Sequence, residues 1–215
     1  MTESEEDTIR LFNDIKVNLF RVPEGAEQTP DFFVETDNQK IFIEVKEINE
    51  NEEEKGLLSE IDKKERVSGY DSCEIGKRFR SSIQTANKQL KKSCTSNEAG
   101  LVIIQDVRHF FTRSCMPQEE IKLAMFGDRV TWLSVNTGKI KADLFAKNKT
   151  TTDKKNTTTS AVGLMIKNIQ DDSLTLHIYH NPYAKTLLIS PVFESTKVFE
   201  YRINATKEYD NFEIQ

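Results

Sequence analysis

Two short strand-like runs separated by a polar turn constrain this chain more than any other feature of its sequence. The runs, Asp31–Glu35 and Lys40–Ile48, are rich in β-branched and aromatic residues, which favour extended backbone. The four polar residues between them, Thr36–Gln39, have a length typical of a hairpin turn. The sequence therefore predicts a β-hairpin, and a hairpin fixes which side chains of the two strands become neighbours.

The second strand places a carboxylate and an ammonium group on one face. Side chains alternate along a strand, so Phe42, Glu44 and Lys46 share a face opposite to the apolar residues between them. Asp31 begins the partner strand directly after Pro30, at the end of the hairpin where Glu44 and Lys46 also lie. Two carboxylates near a lysine predict a site for a hard divalent cation. Such a cation can bind a phosphate oxygen and acidify its bound water, while the lysine orients that water.

These residues resemble the motif of the PD-(D/E)xK nuclease superfamily. The resemblance is carried by Thr29-Pro30-Asp31-Phe32, twelve intervening residues between the two acids, and Ile43-Glu44-Val45-Lys46. It covers about residues 29–46 directly and extends to about residue 107 through the order helix, hairpin, helix, strand. It implies an α/β fold with a restriction-endonuclease-like core, in which helices flank a central mixed β-sheet. It also implies that Mg²⁺, or Mn²⁺ as a substitute, binds Asp31, Glu44 and the Val45 carbonyl, and that Lys46 is catalytic.

The alternative for the same residues is an exposed Glu–Lys strand face beside a Pro-Asp turn. A second open choice concerns Glu5, because related nucleases often carry a further acid in their first helix. The pattern predicts a helix over residues 3–15, in which Glu5 falls on the same side as Ile9 and Phe12. Glu5 is therefore a candidate metal ligand. It could equally lie in a frayed first turn, where the helix dipole favours an acid.

A second helix is predicted over residues 76–92. Its apolar stripe consists of Phe79, Ile83, Ala86 and Leu90. Gln89 lies at one boundary of this stripe, and the resemblance implies a supporting catalytic glutamine on the helix that follows the E-x-K strand. Arg78 lies on the same flank, whereas Lys88 points away from the sheet, and both are candidates for contacts with nucleic-acid phosphates. The alternative for these cations is a solvated helix face.

The remaining pattern predicts a single domain over residues 1–215. Residues 49–74 are charged and poorly periodic, which predicts a loop or an exposed helical excursion, and the Thr/Lys-rich residues 146–160 predict a mobile loop. Further elements are expected at 101–104 (buried strand), 118–126 (helix), 130–135 (strand), 161–169 and 173–180 (paired strands), and 197–203 (edge strand), with the last ten residues loosely held.

Composition and charge narrow the functional classes. The net charge of −5 argues against a protein that coats nucleic acid with its whole surface, but the acid-free basic helix 76–92 can still bind one polyanion. The sequence contains no apolar run of eighteen residues and no basic–apolar leader, and its cysteine count is odd, at three. These features indicate a cytoplasmic protein without membrane contact. Phosphate-binding-loop, dinucleotide-binding and serine-hydrolase motifs are missing from the sequence.

The sequence thus predicts a Mg²⁺-dependent nuclease that hydrolyses phosphodiester bonds. DNA is favoured over RNA because the resemblance points that way. Since no second DNA-binding domain is recognisable, specificity would come from residues 49–74, residues 146–160, a second subunit of a homodimer or a partner protein. The alternative is a catalytically inactive module of the same fold that binds nucleic acid or another protein.

Overall fold

The computed structural model describes residues 1–23, 28–61, 63, 74–145, 147–203 and 212–214. In chain order the elements are α1 (Glu3–Asp14), β1 (Phe20–Arg21), β2 (Phe32–Glu35), β3 (Lys40–Ile48), α2 (Glu52–Ile61), α3 (Lys77–Ser93), β4 (Ala99–Asp106), α4 (Pro117–Phe126), β5 (Arg129–Leu133), β6 (Ile140–Phe145), β7 (Thr159–Lys167), β8 (Leu174–His180), β9 (Val198–Ile203) and β10 (Phe212–Ile214).

Eight of these strands form one mixed sheet in the order β1-β2-β3-β4-β7-β8-β9-β10, and β5 pairs separately with β6. The hairpin partners β2 and β3 are antiparallel, whereas β3, β4 and β7 run parallel to one another. Parallel neighbours need a crossover, and α3 supplies it between β3 and β4. The fold is therefore α/β with helices flanking a mixed central sheet, as the sequence predicts.

The hairpin has the register that places the two acids at the same level. Phe32 is opposite Ile43 and Phe33 is opposite Phe42. Continuing this antiparallel register by one residue brings Asp31 opposite Glu44. The turn is fixed by Thr36, whose N–H and hydroxyl both donate to the Gln39 carbonyl, at 3.0 and 2.9 Å. The predicted hairpin is confirmed.

Two apolar clusters cover opposite faces of the sheet. One contains Leu11 and Phe12 of α1 with the buried face of β3. The other contains the stripe of α3 that the sequence predicts, whose four side chains are fully buried: Phe79, Ile83, Ala86 and Leu90. Full burial of each of the three larger side chains, Phe79, Ile83 and Leu90, contributes roughly 1.5–3 kcal/mol of transfer free energy. The two clusters hold α1 and α3 on either side of β3.

The N-terminus of α1 is held beside the end of β3. The Thr2 hydroxyl caps the helix by accepting the Glu5 N–H at 3.3 Å. The Ser4 N–H donates to the Glu47 carboxylate at 2.8 Å. This contact fixes the first turn of α1, and with it Glu5, relative to the strand that carries Glu44.

Three regions refine or correct the sequence-based picture. The charged segment 49–74 contains the helix α2, while residues 62 and 64–73 lie outside the described part, as do most of the last ten residues. Strand β9 pairs with both β8 and β10, so it is an interior strand and the expectation of an edge strand is wrong.

In the described part of 146–160, Thr150 and Thr151 are buried, and the Thr151 hydroxyl donates to the Met125 carbonyl at 2.8 Å. That segment is therefore attached to the end of α4.

Substitution of Gly100 by alanine tests the packing of α3 on β4. A Cβ at this position would lie 2.7 Å from the Thr158 carbonyl oxygen and 3.0 Å from Leu90 Cδ1. Because the backbone oxygen cannot rotate away, we expect Gly100→Ala to lower the free energy of unfolding by about 1–3 kcal/mol in urea denaturation. Gly56→Ala in α2 is the control. Its Cβ meets open space, and alanine favours helix by up to about 1 kcal/mol. Equal stability of Gly100→Ala and the wild type would contradict this packing.

Candidate functional site

The Asp31 and Glu44 carboxylates meet at the open end of the hairpin. Asp31 Oδ2 accepts the Val45 N–H at 2.7 Å, which ties the carboxylate that precedes β2 to the backbone of β3. Burial raises the pKa of Asp31 above its ordinary value, the bond from Val45 opposes this shift, and the negative charge of Glu5 adds to it. Asp31 is half-buried, so the pair is reached from one side of the sheet edge.

Glu44 is the most enclosed acid of this group, since only 1% of the residue is exposed. Burial, followed by the negative charge of Asp31, raises the pKa of Glu44 to about 7, and Lys46 opposes the shift. Glu44 Oε2 is buried and has no hydrogen-bond partner among the described residues. A buried oxygen without a partner is costly, and a cation bound there would remove that cost.

Lys46 joins the carboxylates to α3. Its Nζ lies 2.6 Å from Glu44 Oε1 and donates to Gln89 Oε1 at 2.9 Å. The side chain is 24% exposed, so the ammonium group has access to solvent at the site. The structure therefore brings Gln89 to the predicted lysine. Gln84, the other glutamine of this helix, is exposed.

Glu5 lies close enough to Asp31 to raise its pKa, and its side chain is largely buried as the helical pattern predicts. Its Oε2 is 3.4 Å from Arg21 Nη2, so an arginine of β1 offsets this third negative charge. Asp31, Glu44, Lys46, Gln89 and Glu5 are thus gathered in one region from α1, the hairpin and α3.

The donor set fits Mg²⁺ better than a metal that needs a full cage of protein ligands. The described residues include no group of three or more His, Cys, Asp or Glu side chains that could hold a metal ion. Mg²⁺ is usually bound through one or two carboxylates, with water and substrate phosphate completing its octahedron. Asp31 and the unpartnered Glu44 Oε2 supply two such oxygens.

The two predicted phosphate-binding cations have different environments. Arg78 donates to the Asn49 carbonyl at 3.0 Å and to Glu54 Oε2 at 2.8 Å. Glu54 also binds Arg108 at 2.9 Å, so Arg78 belongs to an internal ion-pair network that attaches α2 to α3. Lys88 is exposed and forms no ion pair with any of the described residues, which leaves it available to a phosphate.

The sequence analysis missed the buried role of Asp7. The helical direction taken from Ile9 turns Asp7 away from the sheet, but the structure buries it on α1, where it accepts Gln105 Nε2 at 2.8 Å and pairs with Arg10 at 3.0 Å. The signal was present in the sequence, because Asp7 lies four residues before Leu11, a fully buried core residue. Asp7 links α1 to β4 and does not join Asp31 and Glu44.

The raised pKa of Glu44 predicts how the free energy of unfolding depends on pH. Because the folded pKa of Glu44 is about 7 and its ordinary value is 4.5, the folded state binds this proton more tightly than the unfolded state does. Without metal, the contribution of Glu44 to stability is highest below pH 4.5 and falls as pH rises through 7, by on the order of 3 kcal/mol in total. We expect Glu44→Gln to be more stable than the wild type at pH 8 by this order, and similar to it at pH 4.5.

Urea denaturation in EDTA across this pH range measures the difference, and Glu53→Gln, which changes an exposed acid of α2, is the control. Adding Mg²⁺ at pH 8 should stabilise the wild type and leave Glu44→Gln unchanged. A difference between Glu44→Gln and the wild type that does not vary with pH would contradict the buried position of this carboxylate.

Comparison of the chain with protein-family models, with curated proteins and with solved structures gives no match. No helix in the described ranges is both long and apolar enough to cross a membrane. What supports a function is therefore the chemistry of the residues around Glu44, together with the resemblance of its motif.

Proposed function

We propose that this chain is a Mg²⁺-dependent nuclease that hydrolyses phosphodiester bonds in DNA. The observation that carries the proposal is the buried, unpartnered oxygen of Glu44, with Asp31 beside it and Lys46 at 2.6 Å. An acidic protein has no structural need for two adjacent carboxylates whose pKa values are both raised. DNA is preferred over RNA on the resemblance of the motif alone.

Asp31 and Glu44 would hold the metal, with the Val45 carbonyl as a further ligand and Mn²⁺ as a substitute. When bound, the metal supplies a Lewis acid for the phosphate oxygen and a water of lowered pKa. The Asp31 carboxylate is already oriented by the Val45 N–H at 2.7 Å. Glu44 binds a cation only when ionised, so metal affinity should rise with pH up to about 7, the pKa of Glu44.

Lys46 would act on the attacking water and on the charge that develops on the phosphate. Its ammonium group is held between Glu44 Oε1 and Gln89 Oε1, so two of its three N–H groups have defined acceptors. The third N–H remains for the water or for a phosphate oxygen. Gln89 is a positioning residue in this scheme, because it touches Lys46 and not the reacting atoms.

The central prediction separates metal ligands from the lysine. Asp31→Asn and Glu44→Gln should each abolish Mg²⁺-dependent cleavage, because each removes a ligand charge and preserves the shape of the side chain. Lys46→Ala should keep metal affinity close to that of the wild type and lower turnover by about two or more orders of magnitude. Cleavage is assayed on linear, circular and single-stranded DNA and on RNA, with Mg²⁺ or EDTA. Lys91→Ala, an exposed lysine elsewhere on α3, is the control.

Full cleavage activity of Asp31→Asn or Glu44→Gln would refute the proposed nuclease function at this site. If Lys46→Ala instead loses metal affinity and keeps its rate per bound metal, then Lys46 is a structural partner of Glu44. Both results can be read from the same preparations, because calorimetry gives metal affinity and the cleavage assay gives turnover.

A separate prediction concerns Gln89. Gln89→Leu removes the acceptor that orients the Lys46 ammonium, so we expect kcat to fall about tenfold or more with little change in KM. Gln89→Glu restores an acceptor at the same distance and should recover part of the rate. Gln84→Leu, which changes an exposed glutamine on the same helix, is the matched control. An equal loss for Gln84→Leu and Gln89→Leu would show that the effect comes from the helix and not from Lys46.

A second candidate function is a non-catalytic module that binds nucleic acid or a protein. The short Lys46–Glu44 ion pair favours it, because a lysine can neutralise a buried acid with no metal present. Calorimetry with Mn²⁺ distinguishes the two functions. A nuclease should bind the ion through Asp31 and Glu44 and lose binding in Asp31→Asn, whereas a module held together by the ion pair should show no binding.

A further inference from the structure

Three phenylalanines form a ladder across β1, β2 and β3. The rings of Phe20 and Phe33 are stacked, with centroids 5.1 Å apart and planes inclined by 20°. The ring of Phe33 is 6.2 Å from that of Phe42, its cross-strand partner. Lys40 Nζ lies 4.2 Å above the centre of the Phe33 ring. The ladder therefore combines flat aromatic surface with a cation at its edge.

The outer part of this ladder does not belong to the core. Phe42 packs against the cluster under α3. Phe33 is half-buried and belongs to neither apolar cluster, and Phe20 is 46% exposed. Adjacent aromatic side chains that stay in contact with water mark an interaction surface more often than isolated ones do. Phe20 stacks on the Phe33 ring and the Lys40 ammonium group lies over it, so the ring face available to a ligand is the outer face of Phe20.

The ladder lies on the same face of the sheet as the carboxylate site. Glu44 follows Phe42 by two residues, so their side chains point the same way and are separated by about 7 Å along the strand. Phe33 is opposite Phe42, one strand farther from α3. A single chain of nucleotides can therefore have one of its bases on the ladder while a neighbouring phosphate reaches a cation held by Asp31 and Glu44.

The charges around the ladder suit a polyanion. Lys40 is paired at 3.0 Å with Glu35, and both side chains are well exposed. Exposed pairs of this kind contribute little to stability, so a phosphate can replace the carboxylate. Lys46 lies farther along the same strand face, toward Glu44. Cations beside aromatic rings are the combination that single-strand-binding surfaces use.

We infer that the stacked pair Phe20–Phe33 forms a platform whose open ring face, that of Phe20, stacks unpaired bases, so that the substrate of the site is single-stranded DNA or an unpaired stretch within DNA. The inference rests on the proposed nuclease function and names its substrate class. Bases inside a duplex are covered on both faces by their neighbours and cannot stack on a protein ring, whereas every unpaired base offers a free face.

Fluorescence anisotropy tests the platform, with Ca²⁺ in place of Mg²⁺ so that the DNA stays uncut. The probes are a thymidine oligomer of about 15 nucleotides, a duplex of equal length and the corresponding uridine RNA oligomer. We expect the wild type to bind the thymidine oligomer at least tenfold more tightly than the duplex. Phe20→Leu and Phe33→Leu should each weaken oligomer binding by about tenfold, and Phe33→Trp should restore it. Equal losses with the RNA oligomer also support a platform for unpaired bases.

The salt dependence separates stacking from phosphate contacts. Phe33→Leu should leave the slope of log K against log salt unchanged, whereas Lys40→Gln should reduce it by about 0.7. Phe110→Leu is the matched control, because Phe110 is also exposed and its ring contacts that of a second phenylalanine, Phe111, far from β1–β3 in the sequence. Urea denaturation of each variant verifies that it is folded.

Equal affinity for oligomer and duplex, or wild-type affinity in both leucine variants, would overturn the platform. Those results would leave the nuclease proposal intact if Glu44→Gln still abolishes cleavage. Conversely, a protein that binds the oligomer through Phe33 and cleaves nothing with Mg²⁺ would refute the nuclease function and retain the binding surface. The two failures are therefore distinguishable.

Discussion

The candidate site depends on the antiparallel register of β2 and β3. Asp31 is opposite Glu44 only because Phe32 is opposite Ile43, and a slip by one residue would turn every β2 side chain to the other face of the sheet. The register is held by the short turn at Thr36–Gln39 and by burial of Phe32 in the apolar cluster under α1. The geometry of the two carboxylates is therefore enforced by the turn several residues away and by apolar packing of the neighbouring Phe32.

Burial of Glu44 determines the protonation behaviour of the two carboxylates. The acid lies between a hydrophobic strand and α3, where its ionised form is poorly solvated, and the adjacent Asp31 charge adds repulsion. Lys46 relieves one oxygen of Glu44 and leaves the other without a partner among the described residues. Under the proposed function, the fold tolerates this local destabilisation at one point of β3 because a bound cation would offset it, a compromise that is common at functional sites.

The sequence was sufficient to predict the elements that are determined by residues close together in the chain. Turn length and side-chain alternation predicted the hairpin, and helical periodicity placed Gln89 at the edge of the stripe that faces the sheet, where it meets Lys46. The role of Arg78 could not be predicted in this way. Its partner Glu54 is twenty-four residues earlier in the chain, and only the folded position of α2 brings the two together. The interior position of β9 depends on β10, which lies in the last ten residues that the sequence predicts to be loosely held.

The internal use of Arg78 also changes how an acidic protein can bind a polyanion. Glu54 pairs with Arg78 at the start of α3 and with Arg108 after β4, so the charge of Arg78 contributes to contacts within the protein. Affinity for nucleic acid then has to come from fewer cations, such as Lys88, and from contacts that do not depend on charge. Aromatic stacking is such a contact, and its contribution does not decline with salt as phosphate contacts do. In the proposed function, a partly exposed phenylalanine ladder beside the half-buried Asp31 and the buried Glu44 lets an acidic chain hold a strand at the position where it would be cut.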